Sequence, residues 1–446
     1  MRNIDVIILG AGPAGLSAGL KLMQLGRRVL VVSIHRPNRP SQLESIPNID
    51  VLRHAFPIDN IQDTGVIDQA RTGVSWWLGK EKTTNPVFIV ERNLLDPALL
   101  TNAQSAGLEV HLTGMDNIKP FFYQGWNLIL DGNHFRCPYI IDASGRNSSN
   151  GNRKPLLPWK QISITGDAII DSDAPGLWTE SLPEGWLWAI RSCDNRTSVS
   201  LFTDPLSVGR DLNKYWSEMI SSSRIASLIK TNSPTLAIRD VTPVAAGQVI
   251  QDGILLVGDS ALARDPLGSQ GLSATISEAL GAAIGLHNIL LDSTKEDLVL
   301  RFLRNRHAGA CKRHRIFLGE SYGDAPYETS FWTSRKSGGD KKTKEESSGL
   351  FGPDEVLLKS SEWQMQLCPV LNGDSIDLAN CLCSENESIR WLAGITVERL
   401  LSYIDTSVTT RLLLDKWQRC EGISEHTALR ALRWMTNEQV LIPTNK

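Results

Sequence analysis

The chain has 446 residues, of which 41% are hydrophobic and 21% charged, with a formal net charge of -3. That length allows two or three domains with an ample core, and the near-neutral balance gives no general case for binding nucleic acid or acidic lipid. The seven cysteines are scattered without a CxxC pair, so no metal site is readable, and reduced thiols in a cytoplasmic setting are expected.

Residues 4–9 (IDVIIL) form an apolar run. It predicts a buried strand and not a signal peptide, because Gly10, Gly12 and Gly15 follow at once. Residues 14–25 predict a helix with Leu16, Leu20 and Leu25 on its apolar side, and residues 28–33 (RVLVVS) a second buried strand. A strand–turn–helix–strand order of this kind implies a parallel sheet. Residues 34–75, rich in Pro, Asn and Asp, read as irregular. Strands are predicted at 87–91, 109–113, 126–131 and 138–141, and residues 150–250 alternate short apolar runs with turns, the pattern of an antiparallel sheet. A buried strand returns at 254–258, then a loop and a long apolar helix at about 271–292. Past the apolar N-terminal strand no run of about 18 apolar residues appears, so no membrane span is expected. Residues 336–350, charged and rich in Gly and Ser, read as an exposed loop or linker. Beyond about 375, two or three short helices followed by a strand predict a small helix-turn-helix or winged-helix-like unit.

The first chemical motif is Gly10-Ala11-Gly12-Pro13-Ala14-Gly15. Gly10 makes the tight turn, Gly12 lets the backbone approach a pyrophosphate, and Gly15 lets helix and strand pack closely. The helix N-terminus after Pro13 and Ala14 offers free N–H groups to phosphates. An acid usually ends the second strand to meet ribose hydroxyls; here Ser33 stands, a weaker acceptor. The second motif is Gly258-Asp259-Ser260-Ala261, followed by Asp265-Pro266-Leu267-Gly268-Ser269-Gln270-Gly271-Leu272. Asp259 closes a strand, where α/β sheets bind ligands, and can accept bonds from ribityl hydroxyls; a helix cap is the bland alternative. The turn from Pro266 through Gly268, Ser269 and Gln270 opens a helix at Gly271 and Leu272, whose N–H groups can hold the negative charge of a reduced flavin.

This second pattern resembles the GD…P…G.G signature of FAD-dependent aromatic hydroxylases and halogenases. Val90 to Asp96 looks like the same family's R..LD segment, which implies that Arg92 lies near the flavin phosphates and ribityl chain. Ile141 to Arg146 is similar to its DA(S/T)GR strand end, which implies that Asp142 and Gly145 lie near the adenosine half. The matches keep the family's order from residue 10 to residue 271. The resemblance implies an α/β protein: a discontinuous Rossmann-type FAD-binding domain (1–150 and 240–335), an antiparallel-sheet substrate domain (151–239), a linker (336–375) and a small, mainly helical C-terminal unit (376–446). It also implies oxygen transfer to an aromatic ring through a flavin C4a-hydroperoxide.

Glu184 to Ile190 resembles the WxWxI motif of tryptophan halogenases, with Arg191 where halogenases continue with Pro. Tyr327 to Trp332, with Arg335, resembles their (S/P)FW..R segment. Together they imply a substrate pocket at Trp186, Trp188, Phe331 and Trp332, against plain β-core packing for the tryptophan pair. Lys80 falls roughly where halogenases place the lysine that carries hypohalous acid, but the surrounding motif is not reproduced and Lys82 is equally available; a solvated lysine is the alternative. Asp265 and His54 are the other catalytic candidates, against a cap and a surface residue.

In its length, its C-terminal unit and its RDPLGSQG run, the chain is most similar to the flavoprotein monooxygenases that mature tryptophylquinone enzymes of the quinohemoprotein amine dehydrogenase type. These hydroxylate a Trp within a protein substrate. The resemblance implies a Trp-containing protein or peptide as partner, O2 as co-substrate, and electrons from NAD(P)H or a partner flavin reductase. No nucleic acid or membrane partner is expected. Residues 376–446 carry nine acids and eight bases, which suits a peptide-docking module or a helical lid better than a DNA reader. A halogenase or small-molecule aromatic hydroxylase, an FAD-dependent reductase of isoprenoid double bonds and a non-enzymatic flavin-bound adaptor remain open.

Overall fold

The strands flanking the glycine turn pair in parallel, as their order implies. Val6–Leu9 lies between Val29–Ile34 and Tyr139–Asp142, with Val110–Thr113 on one side and Ile254–Leu256 and Ile250–Gln251 on the other. The computed structural model describes residues 1–34, 42–57, 66–114, 120–170, 176–191, 197–231, 235–323, 325–336, 352–384 and 388–444. Ile7, Ile8, Val31, Ile140 and Ile141 are wholly buried, as strands covered on both faces require. Helix Pro13–Gln24 opens on a proline, whose missing N–H costs nothing there. It packs against helix Gly271–Leu291, which is long and apolar enough to cross a membrane but buries Ile276, Ala279, Ala282, Ala283 and Leu286 within the protein.

Backbone proximity fixes this layer. Gly10 has φ +110°, and a Cβ there would stand 2.4 Å from the Ala143 carbonyl oxygen; a Cβ on Gly15 would stand 1.8 Å from the Gly10 oxygen. Gly258, at φ +60°, leaves room only for Thr275 and Ala14, whose carbons would lie 2.9 and 3.1 Å from a Cβ. The two helices and the two strand ends therefore meet with almost no side chain between them.

A second sheet takes the order Ile229–Thr231, Ile162–Ile170, Thr197–Thr203, Gly185–Arg191, Leu177–Leu182, Val74–Trp76, Lys82–Thr83, with Ala237–Asp240 also on Ile162–Ile170. It is antiparallel except where Val74–Trp76 joins Leu177–Leu182. One face packs Trp178, Leu187 and Leu201 on helix Leu212–Ser221 through Trp216, Met219 and Ile220. The antiparallel sheet formed by strands from 151–239 also takes in strands from 74–83. It shares one compact unit, residues 1–296 with 303–341, with the Rossmann layer.

Two stretches differ from expectation. Among the described part of 34–75, expected to be irregular, strand Leu43–Ile46 pairs with Val87–Glu91, helix Asp50–Ala55 follows, and strand Val66–Arg71 joins the same small sheet. Long-range pairing overrides the local Pro and Asn signal. Of the expected linker 336–375, residues 337–351 lie outside the described residues. The remainder carries strands Val356–Lys359 and Gln364–Asn372, and the latter pairs with Ser375–Cys383 across the boundary expected at 376. These belong to a second unit, 342–446 with 297–302. Its helices Thr410–Glu421 and Glu425–Asn437 precede strand Leu441–Pro443, the order expected of a winged-helix-like unit. Its core gathers Leu357, Leu413, Trp417, Leu432 and Met435.

Gly15→Ala is expected to lower the stability of the FAD-free protein by about 3 kcal/mol, at the upper end for overpacking because the facing atom is backbone. Thermal unfolding checks this, and an unchanged midpoint would sink the close-packing account.

Candidate functional site

Two helix starts lie open at the carboxyl edge of the parallel sheet. Helix Pro13–Gln24 has no side-chain cap and no acid in its first turn, and a Cβ on Gly12 would meet nothing within 4 Å. Helix Gly271–Leu291 is likewise uncapped by any side chain, with open space at Gly271. Uncapped N-termini leave backbone N–H groups for a ligand or water and carry partial positive charge. Gly145, at φ +86° with nothing within 4 Å, donates its N–H to Ser260 Oγ at 2.8 Å. This cradle of open glycines at two dipole ends fits an anionic dinucleotide.

The acids divide by role. Asp142 accepts from Ser144 N and Oγ, Ser148 Oγ and Asn150 Nδ2 at 2.6–2.9 Å. Burial pushes its carboxyl up, but these bonds more than offset it and hold the pKa below the usual range. It therefore organises the loop around Gly145. The half-buried Asp259 gives its carbonyl to Arg153 at 2.7 Å, and its carboxylate takes no hydrogen bond from the described residues, which leaves it able to accept from a ligand. Ser33 sits half-buried near the end of its strand, paired with Leu112.

Arg92 is held by two carboxylates. Its guanidinium donates to both oxygens of Asp96, at 2.9 and 3.1 Å, and to both of Glu44, at 3.2 Å. Burial opposes its charge, yet the two carboxylates raise its pKa. It locks helix Arg92–Ser105 to strand Leu43–Ile46. His54 is exposed and donates Nδ1–H to the Asp50 carbonyl of its own helix at 2.7 Å. Lys80 is exposed, and its main chain bonds to Trp77.

Asp265 is buried and caps the turn Pro266–Gly268 by accepting the Leu267 N–H at 2.9 Å. Burial pushes its carboxyl up, against the Leu267 N–H, the Arg335 charge, Tyr322 and Gln161. Its own N–H donates to His314 Nε2 at 2.9 Å. Burial, with the Arg264 charge, pushes that imidazole down to about 3, so Nε2 is free to accept. Past the turn, Ser269 takes φ +50° and accepts the Ser45 hydroxyl at 2.8 Å; Gln270 is exposed beside it.

The aromatic motifs gather beside this turn. Trp186 stacks on Phe202 at 3.8 Å between ring centroids, Trp77 meets Trp332 edge-on at 5.7 Å, and Trp332 Nε1 donates to the Leu182 carbonyl at 2.8 Å. Trp186, Phe331 and Trp332 are almost wholly buried; Trp188 is half-buried. Leu267 packs in the same cluster. Further along this sheet face, Leu177 and Ile190 pack on Leu43, Val87 and Ile89. Between these packed ends runs a half-buried cross-strand row, Thr179–Trp188–Ser200–Thr165, with Thr165 and Ser200 hydroxyls 2.9 Å apart. Thr165, Thr179 and Ser200 were missed in the sequence. The signal was there: small polar residues alternate with the apolar positions that face helix Leu212–Ser221.

A family model described as "FAD binding domain" matches residues 3–314. The chain is 25% identical over 379 residues to the tryptophan 2-halogenase of Chondromyces crocatus, covering 75% of this chain and 71% of that protein. It shares its fold with peptidyl tryptophan dihydroxylase QhpG, essential for tryptophylquinone cofactor biogenesis, with TM-score 0.70 and 23% identity, covering 98% of this chain and 99% of that one. It also shares its fold with the flavin-dependent halogenase CmlS, with TM-score 0.78 and 16% identity, covering 99% and 96%.

Two outcomes are expected. Gly12→Ala should leave the FAD-free protein's unfolding midpoint unchanged, since the methyl enters open space, yet weaken FAD binding at least about tenfold by filling the room over the helix start; titration with FAD decides. His314 titrates near 6.5 when unfolded and near 3 when folded. Between those values the unfolded chain binds more protons, so stability falls as pH drops from 6.5 toward 3. The fall should be a few kcal/mol steeper in the wild type than in His314→Gln, which keeps an acceptor but no proton site. Parallel melting curves for the two proteins across that range would refute it.

Proposed function

The chain belongs to the FAD binding domain family, and from that premise we propose that it is an FAD-dependent monooxygenase that hydroxylates the indole of a tryptophan in a protein or peptide, in the course of tryptophylquinone formation. The helix start at Gly12 would take the pyrophosphate and Asp259 the ribityl hydroxyls. The main chain from Pro266 to Leu272 would face the flavin ring. When bound and reduced, FAD supplies the activation of O2 and an electrophilic oxygen. Each hydroxylation consumes one dioxygen, a pair of electrons and two protons, and yields hydroxyindole and water. The electrons come from NAD(P)H or a partner reductase.

The observation that carries the reading is the sheet face bearing Trp188. It meets the flavin-facing turn through the cluster that holds Leu267 and stays half-buried between packed ends. An indole laid on Trp188 would find an aromatic wall, with the Thr179, Ser200 and Thr165 hydroxyls to bond a peptide backbone. The likeness to QhpG over nearly the whole chain supports a peptidyl substrate. Halogen transfer would need a lysine inside the site; the exposure of Lys80 favours oxygen. The described cysteines are all free, which supports a reducing, cytoplasmic setting.

The reduced holoprotein, supplied with O2, chloride and bromide and a Trp-bearing precursor peptide, is expected to add the mass of one or two oxygen atoms to that Trp. Lys80→Ala should form product within about twofold of wild type, as surface substitutions do. Halogenated peptide, or loss of product in Lys80→Ala, would overturn the assignment.

A further inference from the structure

We propose that Arg335 and Gln161 are positioning residues for the flavin-facing turn, acting on it through Asp265. The inference rests on the FAD reading above but not on the identity of the substrate. Asp265 holds the turn by accepting from Leu267, and its carboxylate is held in turn by Gln161 Nε2 at 3.0 Å and the Tyr322 hydroxyl at 3.2 and 3.3 Å. Gln161 Oε1 accepts from Arg335 Nη2 at 3.2 Å. That fixes the amide: turned over, it would set donor against guanidinium and acceptor against carboxylate.

Arg335 is wholly buried, and a charge in that position is costly unless something holds it. Its Nη2 pairs with Asp204 at 3.0 Å and donates to the Lys160 carbonyl at 3.1 Å, and its Nη1 donates to the Phe331 carbonyl at 2.8 Å. Its carbon centre lies 3.5 Å from the Phe331 ring centroid and 4.4 Å from that of Trp159. Replacing Arg335 alone by an apolar side chain would strip Asp204 and the buried Asp265 of a charge partner and lower stability. The guanidinium adds a continuous polar link: Asp204 at the end of strand Thr197–Thr203, Arg335 on helix Ser330–Lys336, Gln161 at the start of strand Ile162–Ile170, and Asp265 in the turn. The sheet that bears Trp188 is thereby tied to the main chain that would face the flavin. The FW..R motif divides accordingly: Phe331 and Trp332 pack, and Arg335 sets the turn.

Gln161→Met keeps the side-chain length and removes both amide bonds. In the variant, the affinity for FAD should fall about tenfold and the visible flavin spectrum and midpoint potential should shift, while the FAD-free protein melts within a few degrees of wild type. Arg335→Met should change the FAD affinity, spectrum and potential in the same way but also melt lower, because it leaves Asp204 and Asp265 without a charge partner, and the double variant should bind FAD no worse than the weaker single variant, because both cut one link. Unchanged FAD affinity, spectrum and potential in Gln161→Met would overturn the proposal. So would a lowered melting point with a wild-type flavin spectrum, or losses of the two single variants that multiply in the double. None of these readings uses a tryptophan substrate, so failure to find an oxygenated peptide leaves this test intact.

Discussion

The contact on which the site depends is backbone against backbone: Gly10 on Ala143, Gly15 on Gly10, and Gly258 on Ala14 and Thr275. No other residue type fits where a Cβ would stand 1.8 or 2.4 Å from a carbonyl oxygen. Because helix Pro13–Gln24 and helix Gly271–Leu291 close on each other through these points, their two uncapped starts come to one edge of the parallel sheet. A helix start without a cap leaves donors unpaired. Two of them held beside open glycines make a concentrated field of N–H groups, suited to a pyrophosphate at one and an anionic ring edge at the other.

The second helix start is only as useful as the turn before it is fixed, and that turn is held by buried polar groups. Asp265 accepts from its own turn and from two neighbours, and its N–H is taken by a His314 kept neutral by burial. In low dielectric each such bond is stronger, and each unmade one dearer. The aromatic cluster around Tyr322, Trp186 and Trp332 supplies that dryness. Packing and electrostatics are one device here: the rings exclude water, and the polar chain from Asp204 to Asp265 uses the dry space to hold the turn still.

What was legible in the sequence was what is decided locally. The glycines at 10 and 15 declare the turn because their need is steric and immediate, and the strands beside them are mostly Val, Ile and Leu. Arg92 shows the limit. Its ion pair with Glu44 was not readable, because Glu44 lies in a stretch whose prolines hid a strand, and no spacing rule joins positions so far apart. Helix Glu296–Gly323 was unread because its buried stripe of Ala310, His314, Leu318 and Tyr322 mixes a histidine and an alanine with the larger apolar residues. Trp186 and Trp188 share a strand face and a motif. Only the structure separates them: Phe202 covers the first, and the second stays half-open between two packed ends.

The choice between oxygen and halogen transfer turns on a short piece of chain geometry. Trp77 enters the aromatic cluster and donates its Nε1–H to the Ser321 carbonyl at 3.0 Å, while Trp76 gives its own to Glu81 at 3.0 Å. The single turn Trp77–Gly79 ends on Gly79 at φ +74°, and the chain returns as the edge strand Lys82–Thr83. The turn that carries Trp77 inward therefore delivers Lys80 and Lys82 to the exposed rim. Bringing either ammonium inside would mean withdrawing Trp77 from its ring neighbours and desolvating a charge, a cost of several kcal/mol. The proposed orientation of an indole toward oxygen rests on that arrangement: aromatic rings and hydroxyls on the sheet face, with Lys80 and Lys82 exposed.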